Sequence, residues 1–309
     1  VSADLRNFQG AMMRVLVLGG NGMLGHKLCQ ILLNQMDVWA TFQGDTVSHE
    51  FLPKERLINK VAVQDSARVR EVIESIAPDA VVNAVGIVKQ RDEAKQAVPS
   101  IRVNSLFPHQ VADICEPHNI RVIQISTDCV FSGLRGNYSE LDVPDPVDLY
   151  GRSKLIGELN RPGCLTLRTS IVGWQLNTFT SLLSWFALQR ESAIKGYRKA
   201  IYSGLTTAVL AQLIGDLILT RPDLHGIYQV ASAPITKFDL LLQLSRKLGW
   251  EDITIQPDDQ FYCDRTLLGT RFTTATGWRA PDWDFMISEL VQEWPEYEPY
   301  YSAKISGAG

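Results

Sequence analysis

No run of apolar residues in this chain approaches the roughly 18 that a membrane-spanning helix requires, so helical insertion into a bilayer is not expected. Positive charge is not in excess either. The 30 basic and 34 acidic side chains leave a formal net charge of −4, which offers no general attraction to nucleic acid or to an anionic membrane. The cysteines, Cys29, Cys115, Cys129, Cys164 and Cys263, are scattered, odd in number and in no C-x-x-C arrangement. That spacing argues against a disulfide framework, a zinc site or any other metal centre, and fits idle or buried thiols in a reducing cytoplasm. A basic-then-apolar leader is lacking. Residues 1–12 read as an extension ahead of a fold that begins near Met12 or Met13.

What is present is an ordinary globular composition, 45% apolar and 21% charged, over 309 residues. Short apolar runs alternate with helical patterns. Strands are expected at Arg14–Leu18, Asp37–Thr41, Val61–Val63, Ala80–Ala84, Arg121–Ser126 and Cys164–Arg168. Helices are expected between them, one opening at Ser66 as N-cap and one over about 100–118 with a boundary at Pro108. This alternation predicts an α/β fold, a doubly wound parallel sheet of the Rossmann type over residues 13–172. Residues 173–309 lose the regular alternation and are expected to form mainly a smaller C-terminal substrate lobe, with some segments returning to the sheet.

The first strand runs directly into Gly19-Gly-Asn-Gly-Met-Leu-Gly25. Two glycine registers fit, starting at Gly19 or at Gly20, and both share Gly22 and Gly25. In either, the backbone can approach a pyrophosphate closely while a helix N-terminus supplies free N–H groups. A carboxylate at the end of the second strand would favour NAD; Thr41-Phe-Gln-Gly44 stands there, with neither an acid nor an arginine, and the reading leans to NADPH.

Far downstream comes Tyr150-Gly-Arg-Ser-Lys154, after Asp148 as a suitable N-cap for a helix expected over about 149–160. A Tyr and a Lys four residues apart share one helix face. A lysine ammonium close to a phenol lowers its pKa towards the range useful for proton exchange with an alcohol oxygen. Ser126-Thr-Asp128 closes the fifth strand, where a hydroxyl can bond a substrate oxygen or merely finish a turn; the residues alone support both.

Together these motifs resemble the extended short-chain dehydrogenase/reductases, and within them the dTDP-4-dehydrorhamnose reductase group. The resemblance also rests on Val82-Asn-Ala-Val-Gly86, Asn104, Ser126-Thr-Asp-Cys-Val-Phe-Ser-Gly133, Tyr138-Ser-Glu140 and Gly157-Glu158. It implies a catalytic triad of Thr127, Tyr150 and Lys154. It further implies dinucleotide contacts from Gly19, Asn21, Gly22, Met23, Leu24 and Gly25, from Asp65 at the adenine, from Asn83, Ala84 and Val85, and from Ser126, Tyr150 and Lys154. NADP or NAD is the implied cofactor. The implied reaction is reduction of a nucleotide-linked 4-keto-6-deoxysugar by a cytoplasmic enzyme that works without nucleic acid or membrane, with a homodimer as one assembly found among relatives. Departures fall where the sugar binds: Cys129 replaces an aromatic, and Gly86-Ile-Val-Lys-Gln90 replaces an alanine-rich loop.

Asp128, Trp174, Lys195, Arg198 and Arg265 are the substrate-binding candidates, with Lys199, Arg271, Thr206 and Thr207 beside them. Trp174 suits a sugar pocket and a core equally. Two further readings remain: a nucleotide-sugar epimerase, and a non-catalytic regulatory subunit like that of methionine adenosyltransferase.

Overall fold

A computed structural model describes residues 12–44 and 52–305; the expected extension, apart from Met12, lies outside the described residues. Strand β1 (Arg14–Leu18) feeds helix α1 (Met23–Leu32), followed by β2 (Asp37–Thr41) and β3 (Leu57–Ile58). Helix α2 (Ser66–Ile76), β4 (Ala80–Asn83), the consecutive helices α3 (Ala97–Ser100) and α4 (Phe107–Cys115), β5 (Arg121–Thr127), α5 (Leu149–Ile156) and β6 (Cys164–Thr169) continue the alternation. Beyond them lie β7 (Ile171–Val172), α6 (Leu182–Ala187), β8 (Ala193–Tyr202), β9 (Leu205–Thr206), α7 (Thr207–Thr220) and β10 (Gly226–Gln229). The chain ends with β11 (Ile235–Thr236), α8 (Lys237–Leu248), β12 (Thr254–Asp264), α9 (Thr270–Thr276) and α10 (Trp283–Ile305).

The main sheet has seven strands in the order β10-β6-β5-β4-β1-β2-β3, and every pair is parallel. Its strands are buried on both faces, which is why they read as continuous apolar runs. Within β1, Val15 and Val17 face one core with α1, α7 and α10, while Leu16 and Leu18 face the other with α2 and α4. A second sheet of three strands, β11-β8-β12, is built wholly from residues beyond 192. None of the helices among the described residues is long and apolar enough to cross a membrane.

Three local expectations need correction. The edge strand is Leu57–Ile58 and not Val61–Val63. Lys60 takes a left-handed φ of 58°, which ends the strand, although the Val61 N–H still reaches the Phe42 carbonyl at 2.9 Å. The N-cap of α2 is Asp65, whose carboxylate accepts from the Arg68 N–H at 3.0 Å, one residue ahead of Ser66. Helix α5 stops at Ile156, short of that span, with Gly157 as its C-cap lying so close to the Asn104 carbonyl that a Cβ would sit 1.9 Å from the oxygen.

Between α3 and α4 the chain makes a π-helical stretch over Ile101–Leu106, with Pro108 just past it at the start of α4. Proline has no N–H to give to the preceding turn, so the wider turn and the proline fall together.

Candidate active site

The glycine turn settles how both registers are used. Gly19 has a φ of 87°, and a Cβ there would lie 2.9 Å from Val85 Cγ2. A Cβ on Gly20 would strike the buried Phe42 ring at 2.7 Å, and one on Gly25 would meet the Gly19 carbonyl at 2.0 Å. These three glycines are required by packing alone.

Gly22 differs. It is the N-cap of α1, its φ of −70° suits any residue, and a Cβ would find nothing nearer than the Gly19 carbonyl at 3.4 Å. Helix α1 has no side-chain cap and no acid in its first turn. Asn21 Oδ1 is buried without a hydrogen-bond partner. An open cradle of free N–H groups at a helix start fits a dinucleotide pyrophosphate. Leu24 is buried in the core, so its part in such a cradle is through its backbone; Met23 is half-buried. At the end of β2, Thr41 Oγ1 accepts from the Gly19 N–H at 3.3 Å, and Thr41–Gly44 carry neither carboxylate nor guanidinium.

The ends of β4 and β5 form the next wall. Ala84 and Val85 are half-buried along it. Asn83, expected to line the cofactor, is instead buried: its amide donates to Gln124 Oε1 at 2.7 Å and its Oδ1 accepts from the Val85 N–H at 3.1 Å, so its side chain holds the turn. Ser126 is likewise turned inward. Its hydroxyl donates to Glu158 at 2.6 Å, and Glu158 forms a two-pronged pair with Arg168 at 2.8 and 2.7 Å. Asp65 is exposed, and its carboxylate doubles as the α2 cap.

Thr127, Tyr150 and Lys154 do converge. Thr127 Oγ1 accepts from the Cys129 N–H at 3.1 Å, donates to Asp128 Oδ1 at 3.1 Å, and lies close enough to the Tyr150 phenol to influence its ionisation. The hydroxyl therefore both finishes the strand-end turn and lies near the tyrosine. Asp148 caps α5 through the Gly151 N–H at 2.8 Å and is bridged by Lys89 at 2.7 Å. Burial raises the Asp148 carboxyl, but that N–H and the Lys89 ammonium outweigh it and hold the group below its ordinary value.

The electrostatics correct one expectation. Lys154 does not bring the phenol below its ordinary range: burial, with Cys129 and the acids Asp128 and Asp148 nearby, pushes Tyr150 above it. The reason is geometric. Lys154 is buried and its Nζ donates to the Ile125 carbonyl at 2.6 Å. Burial lowers its own pKa to about 8, against some support from Glu158.

Asn104 was legible as a motif residue, but its role was not. Its Oδ1 accepts from the Ile87 N–H at 2.9 Å, and its Nδ2 donates to the Ile87 carbonyl and to Ser153 Oγ, each at 3.1 Å. Ser105 Oγ also donates to the Ser153 carbonyl at 2.8 Å. The π-helical stretch thus ties the loop after β4 to the helix that carries Tyr150 and Lys154.

On the lobe side, Asp128 is buried and its carboxyl is raised by that burial, opposed by Arg265 and Lys237. Arg265 is anchored by bonds to the Phe131 and Ser132 carbonyls at 2.9 and 3.2 Å. Lys237, at the start of α8, was not singled out by the sequence.

The other cations do not join this group. Lys195 pairs with Asp258 at 3.0 Å, and Arg198 pairs with Asp259, on the exposed stretch of β8 and β12. Six residues of strand, roughly 20 Å, separate Lys195 from Ile201, whose carbonyl receives the Arg265 N–H. Arg271 instead lies over the Tyr228 ring at 4.5 Å.

Trp174 is core. It is 1% exposed, packs among Trp250, Trp294, Tyr297 and Tyr301, and donates its indole N–H to the Leu290 carbonyl at 2.9 Å. Thr206 caps α7, and Thr207 is fully buried beside Gly173.

Known proteins resemble this chain in sequence and in fold. Among curated proteins, the dTDP-4-dehydrorhamnose reductase of Aggregatibacter actinomycetemcomitans is 27% identical over 268 residues, 83% of this chain and 82% of that protein. Methionine adenosyltransferase 2 subunit beta of Danio rerio is 34% identical over 164 residues, 52% of this chain and 48% of that one. Among solved structures, dTDP-4-dehydrorhamnose reductase from Bacillus anthracis in complex with NADP superposes with a TM-score of 0.76 at 22% identity, covering 91% of this chain and 99% of that one. A family model described as the RmlD substrate binding domain matches residues 13–257. That match spans most of the seven-stranded sheet, and the chain belongs to the RmlD substrate-binding domain family.

Proposed function

We propose that this protein is an NAD(P)H-dependent reductase of a nucleotide-linked 4-keto-6-deoxysugar, with Tyr150 as proton donor. The observation that carries the reading is the convergence of Thr127, at the end of β5, with Tyr150 and the buried Lys154, one turn apart on α5, at the strand ends beside the glycine turn. The reductase of Aggregatibacter and the NADP complex from Bacillus anthracis support the substrate and cofactor classes.

Gly19, Asn21, Gly22 and the backbone through Gly25 would hold the pyrophosphate, with Ala84 and Val85 along the same wall. Bound reduced nicotinamide would supply a hydride for the keto carbon. Negative charge then grows on the sugar oxygen. A phenol held above its ordinary pKa is fully protonated near neutrality, so Tyr150 stands ready as the acid in the reductive direction. The Thr127 hydroxyl, turning its one proton away from Asp128, would donate to the same oxygen. Lys154, carrying its charge below about pH 8, lies one helical turn away to offset the phenolate left behind. This chemistry fits a cytoplasmic enzyme using soluble nucleotide sugars.

The test is NADPH consumption against a panel of freshly generated dTDP-4-keto-6-deoxysugars. Turnover with at least one member is expected. Retained nicotinamide with no net consumption would favour an epimerase. No turnover, together with a stoichiometric enzyme partner, would favour the regulatory reading that the match to subunit beta of methionine adenosyltransferase 2 supports.

A further inference from the structure

Strand β8 ends at Tyr202, next to the turn that follows β5. The Arg265 N–H bonds the Ile201 carbonyl at 3.0 Å, while the Arg265 guanidinium bonds the carbonyls of Phe131 and Ser132, a few residues past Asp128. On the other side, Ser203 Oγ accepts from the Leu267 N–H at 2.8 Å. Both neighbours of Tyr202 are therefore fixed by the segment that also clamps the Asp128 turn.

The ring is held too: it meets Trp283 edge-on at 5.8 Å, and its strand pairs Tyr202 with Ile235. The residue is 8% exposed, yet its hydroxyl has no hydrogen-bond partner. Through Arg265 its strand is tied to the turn that carries Asp128, the acid bonded to the Thr127 hydroxyl. A buried phenol left without a partner is unfavourable, and such a group in a rigid frame beside a reaction centre points to a partner that arrives with the ligand.

We propose that Tyr202 is a specificity-determining residue of the substrate lobe, its hydroxyl bonding a ring hydroxyl of the sugar that Asp128 contacts from the opposite wall. This rests on the nucleotide-sugar reading above and extends it. Because the phenol oxygen can donate or accept while ionised Asp128 only accepts, the pair recognises a hydroxyl bridging both, and a sugar deoxygenated there is discriminated against.

The experiment compares wild type with Tyr202→Phe, using fluorescence titration of dTDP-rhamnose and of dTDP alone in the presence of NADP, with Tm measured alongside. The variant is expected to bind dTDP-rhamnose about fivefold to tenfold more weakly, to bind dTDP equally well, and to keep its Tm, since no internal hydrogen bond is lost. Equal binding of dTDP-rhamnose by the two proteins overturns the assignment. So does a lowered Tm with both ligands weakened, which would mark the hydroxyl as structural. A wild type that binds dTDP-rhamnose but never oxidises NADPH with a keto sugar sinks the reductase reading and leaves the pocket assignment standing. A wild type that binds neither ligand overturns both.

Discussion

The imidazole of His26 joins the glycine turn to the last helix: Nδ1 contacts the Gly22 carbonyl at 2.8 Å, and Nε2 contacts the Tyr297 hydroxyl at 2.7 Å. A carbonyl can only accept, so Nδ1 carries the proton and Nε2 accepts from the tyrosine. Nearby, Lys27 pairs with Glu293 at 3.1 Å in a mostly buried contact. Helix α10 thereby braces the residue that caps α1. Tyr297→Phe removes the hydroxyl that meets Nε2 in this buried contact, a loss of about 1–3 kcal/mol. Thermal melting should show Tm falling by a few degrees, and dinucleotide titration a weaker affinity. An unchanged melt and affinity would show that the brace carries no weight.

Removing the Tyr150 hydroxyl tests the chemistry without touching the cradle. Tyr150→Phe should lower kcat by about a hundredfold or more, with NADPH affinity within about twofold of wild type. Stopped-flow reduction and fluorescence titration separate the two quantities. Near-normal turnover would assign the proton donor elsewhere.

Lys154 gives two pH dependences of opposite sign. Its pKa is about 8 in the folded protein against 10.5 ordinarily, so between those values the unfolded chain binds a proton that the folded one has released. Stability from this group therefore rises with pH over that window, and the burial penalty is fully present below it. Catalysis runs the other way, because the ammonium is lost as pH climbs through about 8. A kcat/KM profile of wild type should fall on the alkaline side with a midpoint near that value. Lys154→Met should abolish that limb along with activity, while its Tm at neutral pH is no lower than wild type.

The glycines should separate cleanly. Gly25→Ala places a Cβ 2.0 Å from the Gly19 carbonyl and should give insoluble or unfolded protein. Gly22→Ala has room and an ordinary φ, so its melt should match wild type while dinucleotide affinity drops about tenfold or more, as a methyl enters the cradle. Equal affinity for the Gly22 variant would mean that the pyrophosphate does not approach there.

The Glu158–Arg168 pair lies behind the reacting face with side chains 4% and 6% exposed. Arg168→Met strands a buried carboxylate, costing about 3–5 kcal/mol. Adding Glu158→Gln should return much of it, read by urea denaturation; a single variant as stable as wild type would show the carboxylate is neutral.

Much of this arrangement was legible in the residues. Strand-to-glycine-to-helix at Leu18–Met23 and the Asp148 cap before Tyr150 are local signals, set by backbone sterics and orphan N–H groups, and both appear as expected. Burial was the harder quantity. Lys195 and Arg198 were candidates for their charge, but only the pairing of β8 with β12 shows Asp258 and Asp259 beside them. Trp174 could not be assigned without α10, which supplies three of its aromatic neighbours from more than a hundred residues away. The phenol shift was misjudged for the same reason: helical spacing puts Lys154 near Tyr150, yet the Ile125 carbonyl that engages its ammonium belongs to another element.

The seventh strand of the main sheet, β10, is synthesised after β8 and α7, and it covers the open edge of β6 while α7 packs on α1. A fragment ending near residue 172 would therefore leave an unpaired strand and a bare apolar helix, both prone to self-association. During translation the main sheet stays incomplete until the segment through Gln229 has emerged, so its edge is closed only by residues well past the sixth strand.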